Sequence, residues 1–221
     1  MTMRIKAIVF DFDGTLTPAI HEGKNLVSKL IEIKKKTVLG LATGRSMESL
    51  RKKLGDKIDL FDFIIAENGA VITLEKTGLY EVFKPSYWGE VIKRFREEGL
   101  GYDIGEVKIG IHEEDLEIAR RIAGEFRGRV RIVRVMPSYF NAIPPAVNKA
   151  DALLKVLDVL KIEPREVAFI GDSENDVEIA EVCDFSAAVA NASDKLKSVA
   201  KYVCRRDDGE GVLEFLNLLF K

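Results

Sequence analysis

Residues 8–17 read IVFDFDGTLT, an apolar run that ends on Asp11, with Asp13 two positions on and Gly14-Thr15 behind it. Two like charges so close repel one another, and something must compensate them. Three further stretches carry polar groups at the end of a strand-like run: Thr43-Gly44-Arg45 in ATGR, Glu67-Asn68-Gly69 in ENGA, and GDSEND at 171–176. Asp11, Asp13, Asp172 and Asp176 together make an oxygen-rich acidic set, self-repulsive when empty and suited to a hard cation such as Mg²⁺. Gly14, Thr15, Thr43 and Gly44 can offer hydroxyls and backbone N–H groups to an anion, and the helix beginning near Ser46 aims its positive end at the same edge. Lys149 falls in the first turn of a helical pattern, just after the cap residue Asn148. A cation there opposes the helix dipole by about 0.3–1 kcal/mol, a local cost that a bound anion relieves. A metal, a carboxylate nucleophile and a phosphate cradle would account for all of these residues.

Each has a plainer reading. Asp-Gly is a common turn pair, Thr43-Gly44 can be a simple strand-to-helix connection, Lys149 a solvated surface lysine, and Asp172 to Asp176 a helix cap. The combination outweighs them, because in an open α/β sheet ligands bind beyond the carboxyl ends of the strands, where all these groups fall.

The elements that would position them alternate. KAIVF, TVLGLAT and DFIIAE read as buried strands, NLVSKLIEIKKK and SMESLRKKL as helices, the second opened by a Ser46 cap. AVITLEKTGLYEVF reads as a hairpin around Lys-Thr-Gly. The rhythm then changes: helix SYWGEVIKRFREE, strand EVKIGIH, a helix opened by EEDLEIARRIAGEF, and a strand pair VRIVRV and YFNAI, with Pro144-Pro145 at the exit. From Asn148 the earlier pattern resumes with helix KADALLKVLDVL, strand EVAFIGD, helix ENDVEIAEVC, strand FSAAVAN and helix GVLEFLNLLF. The fold class expected is α/β, a Rossmann-like parallel sheet with helices on both faces, plus an inserted smaller α+β cap. Residues 1–80 and 148–221 would form the core and 81–147 the cap.

Composition narrows the partners. Lys+Arg 34 against Asp+Glu 36 leaves a net charge of −2, without the basic excess that would argue for nucleic acid. The longest apolar runs fall short of the roughly 18 residues a membrane span needs, and no signal peptide precedes the first strand, so the expected compartment is the cytoplasm. Cys183 and Cys204 sit in apolar stretches and read as buried thiols. The absence of glutamine beside abundant Lys, Glu and Arg resembles heat-adapted composition. His21 and His112 read as surface residues, Tyr87 and Trp88 as packing, and Lys34 to Lys36 as a solvated helix end.

DFDGT at 11–15, Thr43 in ATGR, Lys149 before a helix and GDSEND at 171–176, in that order, resemble the four signature motifs of the haloacid dehalogenase-like (HAD) phosphohydrolases. ENGA and a cap between the second and third motifs are similar to the Cof-type branch, and the compact length to archaeal-type phosphoglycolate phosphatases and sucrose-phosphatase-like hydrolases. The resemblance implies that Asp11 attacks phosphorus and Asp13 serves as acid and then base. It implies that Mg²⁺ is held by Asp11, the Asp13 backbone carbonyl, Asp172 and Asp176, and that Thr43 and Lys149 hold the phosphoryl oxygens. Gly44, Arg45, Asn68 and Asn175 would lie on the substrate side. The implied activity is Mg²⁺-dependent hydrolysis of a small phosphorylated metabolite, phosphoglycolate first and a sugar phosphate second. A phosphomutase and a phospho-aspartyl signalling domain are the further alternatives, and a dehalogenase is disfavoured because it lacks the second aspartate. The cap would choose the substrate, with Lys108, Arg131 and Arg134 its charged candidates. The oligomeric state is left open, a homodimer through the cap being one arrangement.

Overall fold

A computed structural model describes residues 5–101 and 103–220; residues 1–4 and 221, the ends of the expected core range, and residue 102 in the expected cap range lie outside the described residues. The first strand, β1 (Ala7–Phe10), is fully buried, as a four-residue apolar run on both faces of a sheet must be. A short turn of helix α1 (Ala19–Glu22) and helix α2 (Lys24–Lys34) carry the chain back to β2 (Val38–Ala42). Helix α3 (Met47–Leu54) follows, with Ser46 Oγ accepting from the Ser49 N–H at 3.2 Å as its cap, and leads to β3 (Phe63–Ala66). The hairpin comes next, β4 (Val71–Leu74) and β5 (Leu79–Val82), turning through Gly78 in the left-handed region at φ 66°.

These strands join one eight-stranded sheet with the second half of the chain: β9 (Val167–Gly171), β10 (Phe185–Ala188) and β11 (Tyr202–Val203), in the order β11-β10-β9-β1-β2-β3-β4-β5. Pairing is parallel from β11 to β3 and antiparallel across β3-β4-β5, so the sheet is mixed rather than wholly parallel. The register of the outer pair, Val71 with Val82 and Ile72 with Glu81, carries the sheet past residue 80. Helices α6 (Lys149–Leu160), α7 (Val177–Val182) and α8 (Asp194–Val199) pack together on one face, while α9 (Asp208–Leu219) joins α1 and α2 on the other. Phe10, Phe12, Phe63 and Phe169 lie buried in the core between the layers. Each such side chain contributes about 1.5–3 kcal/mol by leaving water.

A second, three-stranded antiparallel sheet in the order β6-β8-β7 is separate from the first. It consists of β6 (Ile109–His112), β7 (Arg131–Met136) and β8 (Tyr139–Ile143), with α4 (Trp88–Glu97) and α5 (Leu116–Glu125) against it. Trp88, Val91, Phe95, Ile109, Ile111, Ala119, Ile122, Phe140 and Ala142 form its own core. Trp88 is fully buried and donates its indole N–H to the Val107 carbonyl at 2.5 Å, so it is packing. Strand β6 starts three residues later than its sequence suggests. Helix α8 and strand β11 have no counterpart in the sequence reading. Lys34 corrects the expectation of a fully solvated basic run: it donates to the Asp59 and Leu60 carbonyls at 2.9 and 3.0 Å, tying α2 to the turn at 55–60, while Lys35 and Lys36 are exposed. Both cysteines are buried, and burial pushes their thiols up to about 12.

Candidate active site

Strands β9, β1, β2 and β3 are neighbours, and their carboxyl ends carry Asp172, Asp11, Thr43 and Glu67. The chain leaves β1 toward β2 on one side and later returns to β9 on the other, which makes the β1/β9 boundary the switch point where an α/β sheet opens a crevice. Asp11 and Asp172 stand there, and Asp176 reaches them from the turn before α7. Among the described residues, carboxylate oxygens of these three aspartates lie within 4.8 Å of one another. Gly14 makes the approach possible: a Cβ at that position would sit 2.5 Å from Asp172 Oδ2, and its φ of 74° is one that side chains disfavour.

Lys149 is the cation that faces this cluster. It is the first residue of α6, and its Nζ donates to Asp11 Oδ1 at 2.7 Å and Asp176 Oδ1 at 2.6 Å. At 1% exposure it is no surface lysine. Its helix is fixed by Asn148, whose Oδ1 accepts from the Asp151 N–H at 2.7 Å. Asp176 has two tasks: Oδ1 meets Lys149, while Oδ2 accepts from the N–H groups of Asp172 and Ser173, both at 3.1 Å. Thr15 Oγ1 donates to Asp172 Oδ1 at 3.3 Å.

One ammonium cannot balance three carboxylates. Burial first and the Asp176 charge second hold the Asp11 carboxyl well above the ordinary range despite Lys149, and the same two causes push Asp172 up to about 7. Burial lowers the Lys149 ammonium, but the charges of Asp11 and Asp176 overcome it, and its pKa ends above the ordinary lysine value. An all-oxygen donor set, buried but for the half-buried Asp172, with surplus negative charge fits a divalent cation of the Mg²⁺ kind.

Asp13 departs from the acidic set expected of it. Its carboxylate takes a two-pronged bond from Arg45, Nε to Oδ2 at 2.5 Å and Nη2 to Oδ1 at 2.7 Å, so its charge is compensated within the chain. The same contact engages Arg45, expected on the substrate side. Thr43 is buried, and its Oγ1 accepts from the Arg45 N–H at 3.1 Å. Asn175 Nδ2 donates to Asn68 Oδ1 at 2.9 Å, and Asn141 of β8 donates to the Gly44 carbonyl at 3.1 Å. Among the described residues Asn68 Nδ2 and Asn141 Oδ1 are buried with no hydrogen-bond partner, a donor and an acceptor beside the crevice.

Above the crevice lies a cavity of about 340 Å³ between the two sheets. Its core wall includes Asp11, Asp13, Thr43 and Arg45, its other wall Asp103, Lys108, Tyr139 and Asn141. Lys108 is 2% exposed and pairs with Asp103, which also accepts from Tyr139 Oη at 2.7 Å. Burial would raise the Asp103 carboxyl, yet the Lys108 bond and charge bring it below its usual range. Of the other basic candidates, Arg131 donates to the Val147 carbonyl and to Glu178, and Arg134 to the Pro137 carbonyl. His112 is exposed but borders the cavity. The sequence reading assigned Glu67 no role, and the structure buries it at the junction of the two sheets.

An α/β sheet with this strand-end cluster and a second small sheet over it defines a class of hydrolase fold, and comparison with known proteins agrees. The model of the haloacid dehalogenase-like hydrolases matches residues 8–115 and 106–216, and the chain belongs to that family. It is 33% identical over 224 residues to a phosphoglycolate phosphatase of Archaeoglobus fulgidus, covering 97% of this chain and 96% of the relative. A phosphoglycolate phosphatase of Methanosarcina acetivorans is 30% identical, with coverage of 98% and 97%. Among solved structures, a haloacid dehalogenase-like hydrolase from Bacteroides thetaiotaomicron superposes with a TM-score of 0.81 at 23% identity, over 98% of this chain and 100% of that one. A HAD/COF-like hydrolase from Plasmodium vivax does so with a TM-score of 0.82 at 19% identity, over 99% and 96%. Among the described residues no helix is long and apolar enough to cross a membrane.

Proposed function

We propose that the protein is a Mg²⁺-dependent phosphatase of small phosphate monoesters, 2-phosphoglycolate foremost, working in the cytoplasm through an aspartyl-phosphate on Asp11. The observation that carries this reading is the gathering of buried Asp11 and Asp176 and half-buried Asp172 within 4.8 Å of one another, with the Lys149 ammonium bonded to the first two. Asp11 Oδ would bond to phosphorus as the ester P–O bond breaks, and Asp13, released from Arg45 and protonated, would give its proton to the departing oxygen. Asp13 would then take a proton from the water that displaces phosphate from Asp11. Both roles require it to leave Arg45, whose guanidinium can turn to an anionic substrate instead. Thr43, Gly44 and Lys149 would hold the phosphoryl oxygens, with Asn68 and Asn175 beside them. Asp11, the Asp13 backbone carbonyl, Asp172 and Asp176, directly or through water, would hold Mg²⁺, which when bound neutralises charge on the transferred group. We take residues 81–147 as the cap and 1–80 with 148–221 as the core, the first boundary falling within β5.

For the substrate, the full-length relatives named above and two basic side chains on a small cavity, Arg45 and Lys108, support a short acid. A sugar phosphate is the second reading, favoured by Asp103 and Asn141, which can accept from hydroxyls. The test is phosphate release with and without Mg²⁺ from 2-phosphoglycolate, glucose 6-phosphate and sucrose 6-phosphate. The first should lead in kcat/KM by about tenfold or more, a difference of roughly 1.4 kcal/mol in transition-state binding. Preference for a hexose phosphate would overturn the substrate. Transfer to a second sugar hydroxyl would mark a mutase, and a stable phospho-protein without turnover a signalling domain.

A further inference from the structure

We propose that Glu67 is a positioning residue whose carboxylate, carried by the end of β3, clasps the backbone at 106–108 and so sets Lys108 against the cavity. Only what Lys108 meets there rests on the phosphatase reading; the clasp stands on geometry alone. Glu67 is 1% exposed, and both oxygens of its carboxylate accept from main-chain donors across the junction of the two sheets. Oε1 accepts from the Glu106 N–H at 2.9 Å, and Oε2 from the N–H groups of Val107 and Lys108, both at 2.8 Å. Three convergent amides make an anion-binding concavity, here filled by a side chain of the protein itself.

The fit is mutual. A Cβ on Gly105 would lie 2.1 Å from Glu67 Oε1, so the carboxylate occupies the space a side chain would need. The Gly105 N–H in turn donates to the Lys108 carbonyl at 3.0 Å, closing the turn. On the core side, the Glu67 N–H donates to the Arg45 carbonyl and the Asn68 N–H to the Thr43 carbonyl, both at 3.0 Å. Glu67 therefore stands in one bonded line between the strand end bearing Thr43 and Arg45 and the turn bearing Lys108. The Lys108 ammonium, paired with Asp103, lines the same cavity as Asp13 and Arg45. Moving the turn moves that ammonium.

Glu67→Gln tests the clasp at nearly constant shape. Wherever the amide nitrogen lands it faces at least one N–H donor, so at least one bond is lost and a repulsion gained. Gly105→Ala attacks the same contact from the other side and serves should the first variant misfold. In the intact protein, either change should speed hydrogen exchange of the amides at 106–108 by about tenfold or more, with α5 unaffected. Unchanged exchange at 106–108 overturns the clasp.

The link to Lys108 is read by kinetics on whichever of 2-phosphoglycolate and glucose 6-phosphate the wild type hydrolyses faster. Glu67→Gln should lower kcat/KM by about 10–100-fold, mostly through KM, with a smaller loss on p-nitrophenyl phosphate. Lys108→Met should do the same, and the double variant should be no worse than Lys108→Met alone. Multiplying losses, or equal losses on all substrates, overturn the link. Should the wild type hydrolyse neither ester, the substrate reading fails, and amide exchange alone decides the clasp.

Discussion

At the core end of the cavity Asp11 and Asp176 share the ammonium of Lys149 and Asp172 feels its charge without a bond to it, whereas at the far end Lys108 and Asp103 are matched one to one and Tyr139 adds a bond to the same carboxylate. The electrostatic outcome follows the count. Asp11 and Asp172 are pushed up, while Asp103 is held down by its lysine. A surplus of buried charge is costly unless a further ion joins it, and a balanced pair needs none. The first arrangement suits a cation and, on the proposed reading, does the chemistry; on the same reading the second holds a shape against which a ligand is measured.

The contrast can be broken most severely at Asp11. Asp11→Asn should lower turnover by at least ~10³-fold. Because it removes a member of the overcharged cluster, it should leave the melting temperature of metal-free protein equal or higher. Phosphate release and a thermal melt on the same sample check both, and near-normal turnover would remove Asp11 as the nucleophile.

Metal and pH probe the cluster next. With Asp172 near 7 against an ordinary 3.8, the metal-free folded protein keeps a proton that the unfolded chain has lost between about pH 4 and pH 7. Its stability should therefore fall as pH rises through that window. Mg²⁺ favours the ionised carboxylates, so the rise in melting temperature on adding it should be larger at pH 8 than at pH 5.5. Chelation should abolish phosphate release. A magnesium effect independent of pH would argue against these carboxylates as its ligands.

Lys149→Met removes the ammonium bonded to Asp11 and Asp176. Loss of a buried ion-pair partner costs about 3–5 kcal/mol, and here Mg²⁺ should restore part of it, as denaturant melts with and without the ion can show. Asp103→Asn, at the balanced end, should have the smallest effect: a shift of a few-fold in KM with kcat little changed, about 1 kcal/mol or less of binding. A collapse of kcat in that variant would mean that the far end takes part in the chemistry.

Much of the core could be read in the residues. β1 comes from the apolar AIVF stretch, and α6 begins at Lys149 because Asn148 caps it there, both as local patterning predicts. The unfavourable position of Lys149 at a helix start points to a nearby anion, but its burial against Asp11 and Asp176 is not legible there. Short elements were missed because they carry too little pattern: β11 has two residues, and α8 is a six-residue helix. Long-range pairing left no trace. Nothing near Asp13 announces Arg45, 32 residues on, and EVKIGIH reads as one strand although Glu67, some 40 residues earlier, takes the amides at 106–108 and delays β6 to Ile109. Hydrophobic period sees a side chain's own segment; it does not see a partner that folding brings in.

The adjacency of β1 and β9 has a bearing on how the molecule comes into being. Asp11 is translated well before its companions: Lys149 follows it by 138 residues, and Asp172 and Asp176 come later still. A nascent polypeptide therefore carries an unaccompanied aspartate until those later segments have been translated, and any fragment stopping before residue 149 would lack the lysine and both later carboxylates.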